Sequence, residues 1–138
     1  MGKKKGWKEK LAAANPPHVV TLDKAFAGVA AGKKLAIASP LMVKAYVEQI
    51  PRGHVASMLE MRQAFAKGLG ADATCPTSSA IFLRIVAEAA LEDIAAGTKA
   101  AAATPFWRIV DPRSVLAQKL SCGPDFVAHM RAIESIAD

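Results

Sequence analysis

Apolar residues recur at helical spacing along the middle of this chain, and turn and cap residues divide them into separate segments. Val43, Tyr46, Val47 and Ile50 form one stripe after Ser39-Pro40, a cap residue with proline at the first helical position, and Pro51-Arg52-Gly53 ends it. His54-Val55-Ala56 reads as a short extended link. Ser57-Met58-Leu59-Glu60 is a capping box, in which Ser57 and Glu60 satisfy each other's free backbone N–H groups. The helix it opens runs to about Lys67, with Met58, Met61, Phe65 and Leu69 facing the core and Gly68 to Gly70 stopping it. Residues 71–76 form a turn. A third helix begins near Thr77, reaches about Ala96 and stops at Gly97. Its polar positions Arg84, Glu88 and Glu92 lie at i, i+4 and i+8 on one narrow line suited to ion pairing. Nearly every other side is apolar, so this is the central helix, and only its first turn, Thr77-Ser78-Ser79-Ala80, is free to meet a partner.

The flanking pattern is shorter in period. Val19–Leu22 and Lys34–Ile37 are strand candidates, and Asp23–Ala30 between them is too short and glycine-interrupted to assign. Thr98–Ala103 reads as a loop and Phe106–Val110 as a strand. Asp111-Pro112 caps a short helix through about Leu120. Gly123-Pro124 opens the last one, with Phe126, Met130, Ile133 and either Ile136 or Ala137 inward. The fold class expected is α+β, mainly helical, with a winged helix-turn-helix core and a small sheet. Residues 1–18 are a basic, flexible lead-in ending in prolines, and residues 19–138 form one domain.

Composition adds where the charge lies. The chain is 52% hydrophobic with 22% charged residues, which argues against disorder. Formal net charge is +6; Lys3, Lys4, Lys5, Lys8 and Lys10 against Glu9 supply +4 of it, leaving a nearly balanced body of +2. A lysine-rich arm either contacts phosphate without regard to sequence or simply remains solvated. Asn15-Pro16-Pro17 interrupts any secretory signal, Gly6 spoils a myristoylation match at Gly2, and no apolar run is long enough to cross a bilayer. Cys75 and Cys122 make no disulfide framework, and a reducing cytoplasm fits these features. His18, His54 and His129 are scattered, so no metal site or Cys-His dyad follows, and no cofactor is expected.

Two helices joined by a turn, 58–67 and 77–96, are either a helix-turn-helix or an ordinary helical corner. In the first case small polar residues at the start of the second helix approach a duplex closely, and its free N–H groups and positive dipole end favour phosphate. A resemblance bears on the choice. Val47–Leu69, with its Ile50-Pro51-Arg52-Gly53 turn, and Pro105-Phe106-Trp107-Arg108-Ile109-Val110 are similar to segments of the DNA-binding domain of alkylguanine-DNA alkyltransferases. In that family a Pro-Cys-His-Arg-Val segment carries the cysteine that accepts the alkyl group. Residues 18–110 also resemble uncharacterised bacterial proteins grouped with that domain, which share the Gly70-Ala71-Asp72-x-x-Cys75-Pro76 turn and the Pro-(Tyr/Phe)-Trp-Arg strand.

The departures shape the expectation. Phe106 stands where the cysteine would be, and a phenyl ring cannot take an alkyl group by thiolate attack. Met58 replaces the tyrosine that helps rotate the nucleotide out, and Trp107 replaces the histidine that activates the cysteine. Arg84 falls about two turns too late to fill the vacated stack, and no glycine- and serine-rich pocket segment follows Val110. The resemblance therefore implies a non-catalytic, alkyltransferase-like monomer that binds double-stranded DNA, alkylated or damaged, and flags it for a repair partner. Ser57, Met58, Thr77, Ser78 and Ser79 would meet the duplex, Arg52, Arg62 and the lysine tail the phosphates, with Pro105, Phe106, Trp107 and Arg108 at the former active site. Phe106 and Trp107 either stack on a base or belong to the core. Two rivals stand beside it: a thiol-dependent alkyl acceptor using Cys75, at a helix N-terminus, and a protein-binding module on the same fold. Cys122 is a loop residue.

Overall fold

The computed structural model describes residues 6–134. It is α+β and mainly helical, with a small mixed sheet of three strands. Helix α1 (Trp7–Ala13) leads into strands β1 (His18–Thr21) and β2 (Lys34–Ile37). Helices α2 (Pro40–Glu48) and α3 (Met58–Leu69) follow, then strand β3 (Ala73–Thr74) and the long α4 (Pro76–Ala95). Single 3₁₀ turns at Ala100–Ala102 and Phe106–Arg108 connect to α5 (Val115–Lys119) and α6 (Gly123–Ile133).

Caps anticipated from the sequence set the central helices. Ser39 Oγ accepts from the Met42 N–H at 3.1 Å, with Pro40 at the first turn of α2. Ser57 Oγ accepts from the Glu60 N–H at 3.0 Å, the serine half of the box. Gly70 closes α3 at φ +67°, a left-handed conformation that costs glycine little, and the Ala71 N–H reaches back to the Ala66 carbonyl at 2.9 Å. Residues 71–76, expected as a plain turn, contain β3. Leu35 pairs with Ala73 and Ala36 with Thr74 in parallel, while β1 pairs antiparallel on the other edge of β2. The Asp72 side chain, which accepts from the Lys34 N–H at 2.8 Å, and the Thr74 hydroxyl, which donates to the Arg62 carbonyl at 2.7 Å, anchor this strand between β2 and α3. Such long-range pairing is invisible to local pattern.

Helix α4 is the axis of the core. Leu83, Val86, Ala87 and Ala90 pack with Val43 and Val47 of α2, Met61 and Phe65 of α3, and Val127 and Met130 of α6. The Arg84–Glu88–Glu92 line holds one ion pair, Arg84 with Glu88, and its acidic members also take partners from other elements. Glu88 is buried and accepts from the backbone N–H and hydroxyl of Ser121, and Arg84 stands 3.9 Å from it. Glu92 accepts from the Trp7 N–H, and Lys8 bridges to Asp93 at 2.7 Å, so α1 docks along α4. Lys10 and Arg84 bracket the Trp7 ring at 4.1 and 5.3 Å. Part of the lead-in expected to be flexible is thus a helix; Lys3, Lys4 and Lys5 lie outside the described residues.

Three smaller expectations need correction. Phe106–Arg108 is a 3₁₀ turn rather than a strand: the Arg108 N–H bonds to the Pro105 carbonyl at 3.0 Å, and the Val110 N–H to Phe106 at 2.9 Å. A run that is apolar on all sides reads as a buried strand, but Pro105 offers no ladder donor and its neighbours curl inward. The short helix after Asp111 is capped by Ser114 and starts only at Val115. Ile133 is exposed instead of inward, and Ile136 and Ala137 lie outside the described residues.

A cleft between the capped helix and a bolted turn

Two arginines bolt the turn at 105–110 in place. The Arg108 guanidinium donates twice to Glu134, at 2.9 Å to each carboxylate oxygen, and once to the Ile50 carbonyl at 2.7 Å. The side chains are 15% and 2% exposed, so this fork is nearly dry. The charge-assisted bonds from Arg108 hold the Glu134 carboxyl below its usual range despite burial, which works the other way. Arg131 donates to the carbonyls of Trp107 (2.7 Å) and Val110 (3.0 Å), and the Arg108 carbonyl accepts from the Ala56 N–H at 2.9 Å. A segment with irregular backbone inside a core must satisfy its carbonyls this way.

Phe106 and Trp107 are core. They are 0% and 1% exposed; Phe106 lies edge-on to Trp107 at 5.3 Å and stacks with Phe126 at 6.1 Å. Neither ring is available to a base here, and Pro105 is buried as well. Sequence reasoning missed Arg131 and Glu134. The available signal was a charge on the inward face of an amphipathic helix, Arg131 beside Met130.

Just beyond this turn the chain lines an open cleft of about 390 Å³. Ser57 and Met58 at the start of α3 form one wall, Ala80 and Leu83 of α4 the second, and Ile109, Val110 and Leu116 the third. Asp111, Ser114 and Glu60 give it a polar margin, and the buried Arg131 contributes to its lining. The Arg113 backbone N–H and guanidinium hold the Asp111 carboxyl below its usual range, so Asp111 stands ionised and paired with Arg113. Val55, about half exposed, also lines it, while the exposed Ile81 and Val115 line a neighbouring cleft with Ala80 and Leu116.

The remaining candidates scatter around it. Thr77 is exposed and Ser78 half-buried at the start of α4, whereas Ser79, expected to meet a partner, is fully buried with its hydroxyl on the Cys75 carbonyl at 2.8 Å. Side chains at successive helical positions diverge by about 100°, so one of three adjacent residues turning inward follows from helix geometry. Cys75 is 3% exposed and acts as the N-cap of α4, its sulfur accepting from the Ser78 N–H at 3.5 Å and from the Ser78 hydroxyl at 3.3 Å. That is the environment of a structural thiol, closed off from solvent. Arg62 lines a second cleft of about 200 Å³ with Gln63, Pro76 and the Ala27 and Val29 backbone region. Arg52 lies apart, exposed, leaning towards Glu134 at 3.9 Å.

No family model matches this chain, nor does any curated protein or solved structure. Among the described residues no cluster of His, Cys, Asp and Glu is grouped to hold a metal, and no helix is long and apolar enough to cross a membrane.

Proposed function

We propose that this chain is a non-catalytic, alkyltransferase-like DNA-binding protein, with α3 and α4 as its helix-turn-helix. One observation carries the reading. The start of α3, the second and third turns of α4 and the residues following the Pro-Phe-Trp-Arg turn, which are far apart in sequence, border one open cleft. Thr77, exposed, and Ser78, half-buried, lead α4, where a helix N-terminus favours phosphate. The β1–β2 hairpin serves as the wing, although it precedes the helix pair in the chain. Acceptor chemistry has no support at residue 106, a buried phenyl ring, and little at Cys75, a buried capping sulfur.

Gel-shift series across salt concentration test the reading. Log affinity for an unmodified duplex should fall linearly with log salt. Replacing Lys3, Lys4 and Lys5 by alanine should flatten the slope by about 2 to 3 units, near 0.9 for each phosphate no longer neutralised. Intact mass after incubation with methylated duplex should be unchanged. Absence of any shift at low salt sinks the proposal. A mass gain abolished by Cys75→Ser would replace it with the thiol-acceptor reading. The exposed apolar side chains of Val55, Ile81 and Val115 favour a second reading, a protein-binding module. That reading would gain ground if the protein purified with a partner and without nucleic acid.

A further inference from the structure

Between β1 and β2 the chain makes an arm on which every residue from Asp23 to Lys34 is exposed except Val29. Its tip is a two-residue turn. The Phe26 N–H bonds to the Val29 carbonyl at 2.9 Å, the Val29 N–H returns the bond at 2.8 Å, and Ala27 and Gly28 between them have φ of +53° and +83°. Positive φ at both central positions matches the twist of a tight hairpin, and it is unfavourable for alanine, so the tip is held in shape by the paired flanks. Phe26 sits at this tip with 47% of its surface exposed. Lys24 and Lys33 against Asp23, together with Lys34 at the start of β2, give the arm and its base a net charge of +2.

We infer that this arm is a second contact to the duplex, with its lysines on phosphates and Phe26 as an apolar wedge at a base step; the inference rests on the DNA-binding reading. An apolar ring at the end of a cationic arm suits a partner with a charged exterior and an apolar stacked interior. Wedges of this kind partly unstack a step and bend the helix. The arm's position supports one continuous interface: Ala27 and Val29 share a cleft with Leu59, Arg62 and Gln63 of α3 and with Pro76 at the start of α4. A second copy of the chain is a poorer fit, because symmetric pairing along β1 would set two arms of +2 side by side.

The test uses the full chain and a duplex carrying 2-aminopurine, whose emission rises when it unstacks. Wild type should raise the emission on binding. Phe26→Ala, at an exposed position, should keep the helical circular dichroism, weaken binding about tenfold and abolish the rise. Lys24→Ala with Lys33→Ala should keep the rise at saturation and flatten the salt slope by about 2. Phe26→Ala binding as wild type with the same emission would overturn the wedge while leaving the DNA-binding reading standing. So would a wild-type dimer that Phe26→Ala converts to monomer at unchanged DNA affinity. Wild type that binds no duplex at low salt removes both.

Discussion

Replacing Phe106 by alanine should cost about 3–5 kcal/mol of stability, the range for emptying a fully buried aromatic site. The ring is 0% exposed, packed edge-on against Trp107 and stacked on Phe126, and flanked by backbone that Arg131 and Arg108 hold in place. Surroundings fixed so firmly collapse poorly into a void, which puts the cost toward the upper part of that range. Chemical denaturation checks it: the midpoint should fall with little change in slope. Phe106→Cys should be destabilised in the same sense, and its thiol should resist thiol reagents in the folded state. A Phe106→Cys protein that is stable and rapidly labelled would mean that residue 106 opens onto the cleft.

The second large effect belongs to the Arg108–Glu134 fork. Arg108→Leu should cost about 3 kcal/mol or more, since removing one partner leaves a nearly buried carboxylate uncompensated and the Ile50 carbonyl without its donor. For a chain of this size the melting temperature should drop by roughly 10 °C. Acid should act through the same pair. The folded Glu134 carboxyl is held below its ordinary value near 4.3, chiefly by the bonds from Arg108. Its contribution is therefore complete above about pH 4.3 and is lost as pH falls from there through the folded value. Glu134→Gln should flatten that acid limb and lower stability near neutrality, where wild type keeps the full contribution of the pair. An unchanged acid limb in Glu134→Gln would show that other carboxylates set it.

Local rules read well where the signal was local. Ser39, Ser57 and Gly70 mark helix ends because a cap hydroxyl or a left-handed glycine answers a need of the adjacent backbone, and the neighbouring residues suffice to show it. Lys34–Ile37 was legible as a strand for the same kind of reason. What stayed hidden depended on residues far away in the chain. Thr74 is a strand residue because of Ala36, and Phe106 curls because Arg131 and Ala56 take up the carbonyls around it. Glu92 accepts from the Trp7 N–H, 85 residues back in the chain. The site divides likewise: Ser57, Met58, Thr77 and Ser78 lie at the surface or on the cleft as their helix positions suggested. Ser79 turns inward as helix periodicity alone would allow, whereas Pro105, Phe106 and Trp107 are enclosed by elements that no nearby pattern could announce.

Duplex binding through the start of α4 can be tested without disturbing the fold. Thr77 and Ser78 occupy the second and third positions of that helix, where a carboxylate stabilises the helix by about 0.3–1 kcal/mol. The pair Thr77→Asp and Ser78→Asp gives up the Ser78 hydroxyl bond to Cys75 but gains this charge interaction, and should keep the wild-type helical circular dichroism while setting two negative charges against the phosphates. The decisive measurement is a fluorescence anisotropy titration of a labelled duplex at low salt with both proteins. Saturable binding by wild type that weakens at least tenfold in the double variant is the predicted result; equal binding by the two, or none by wild type, would contradict the account.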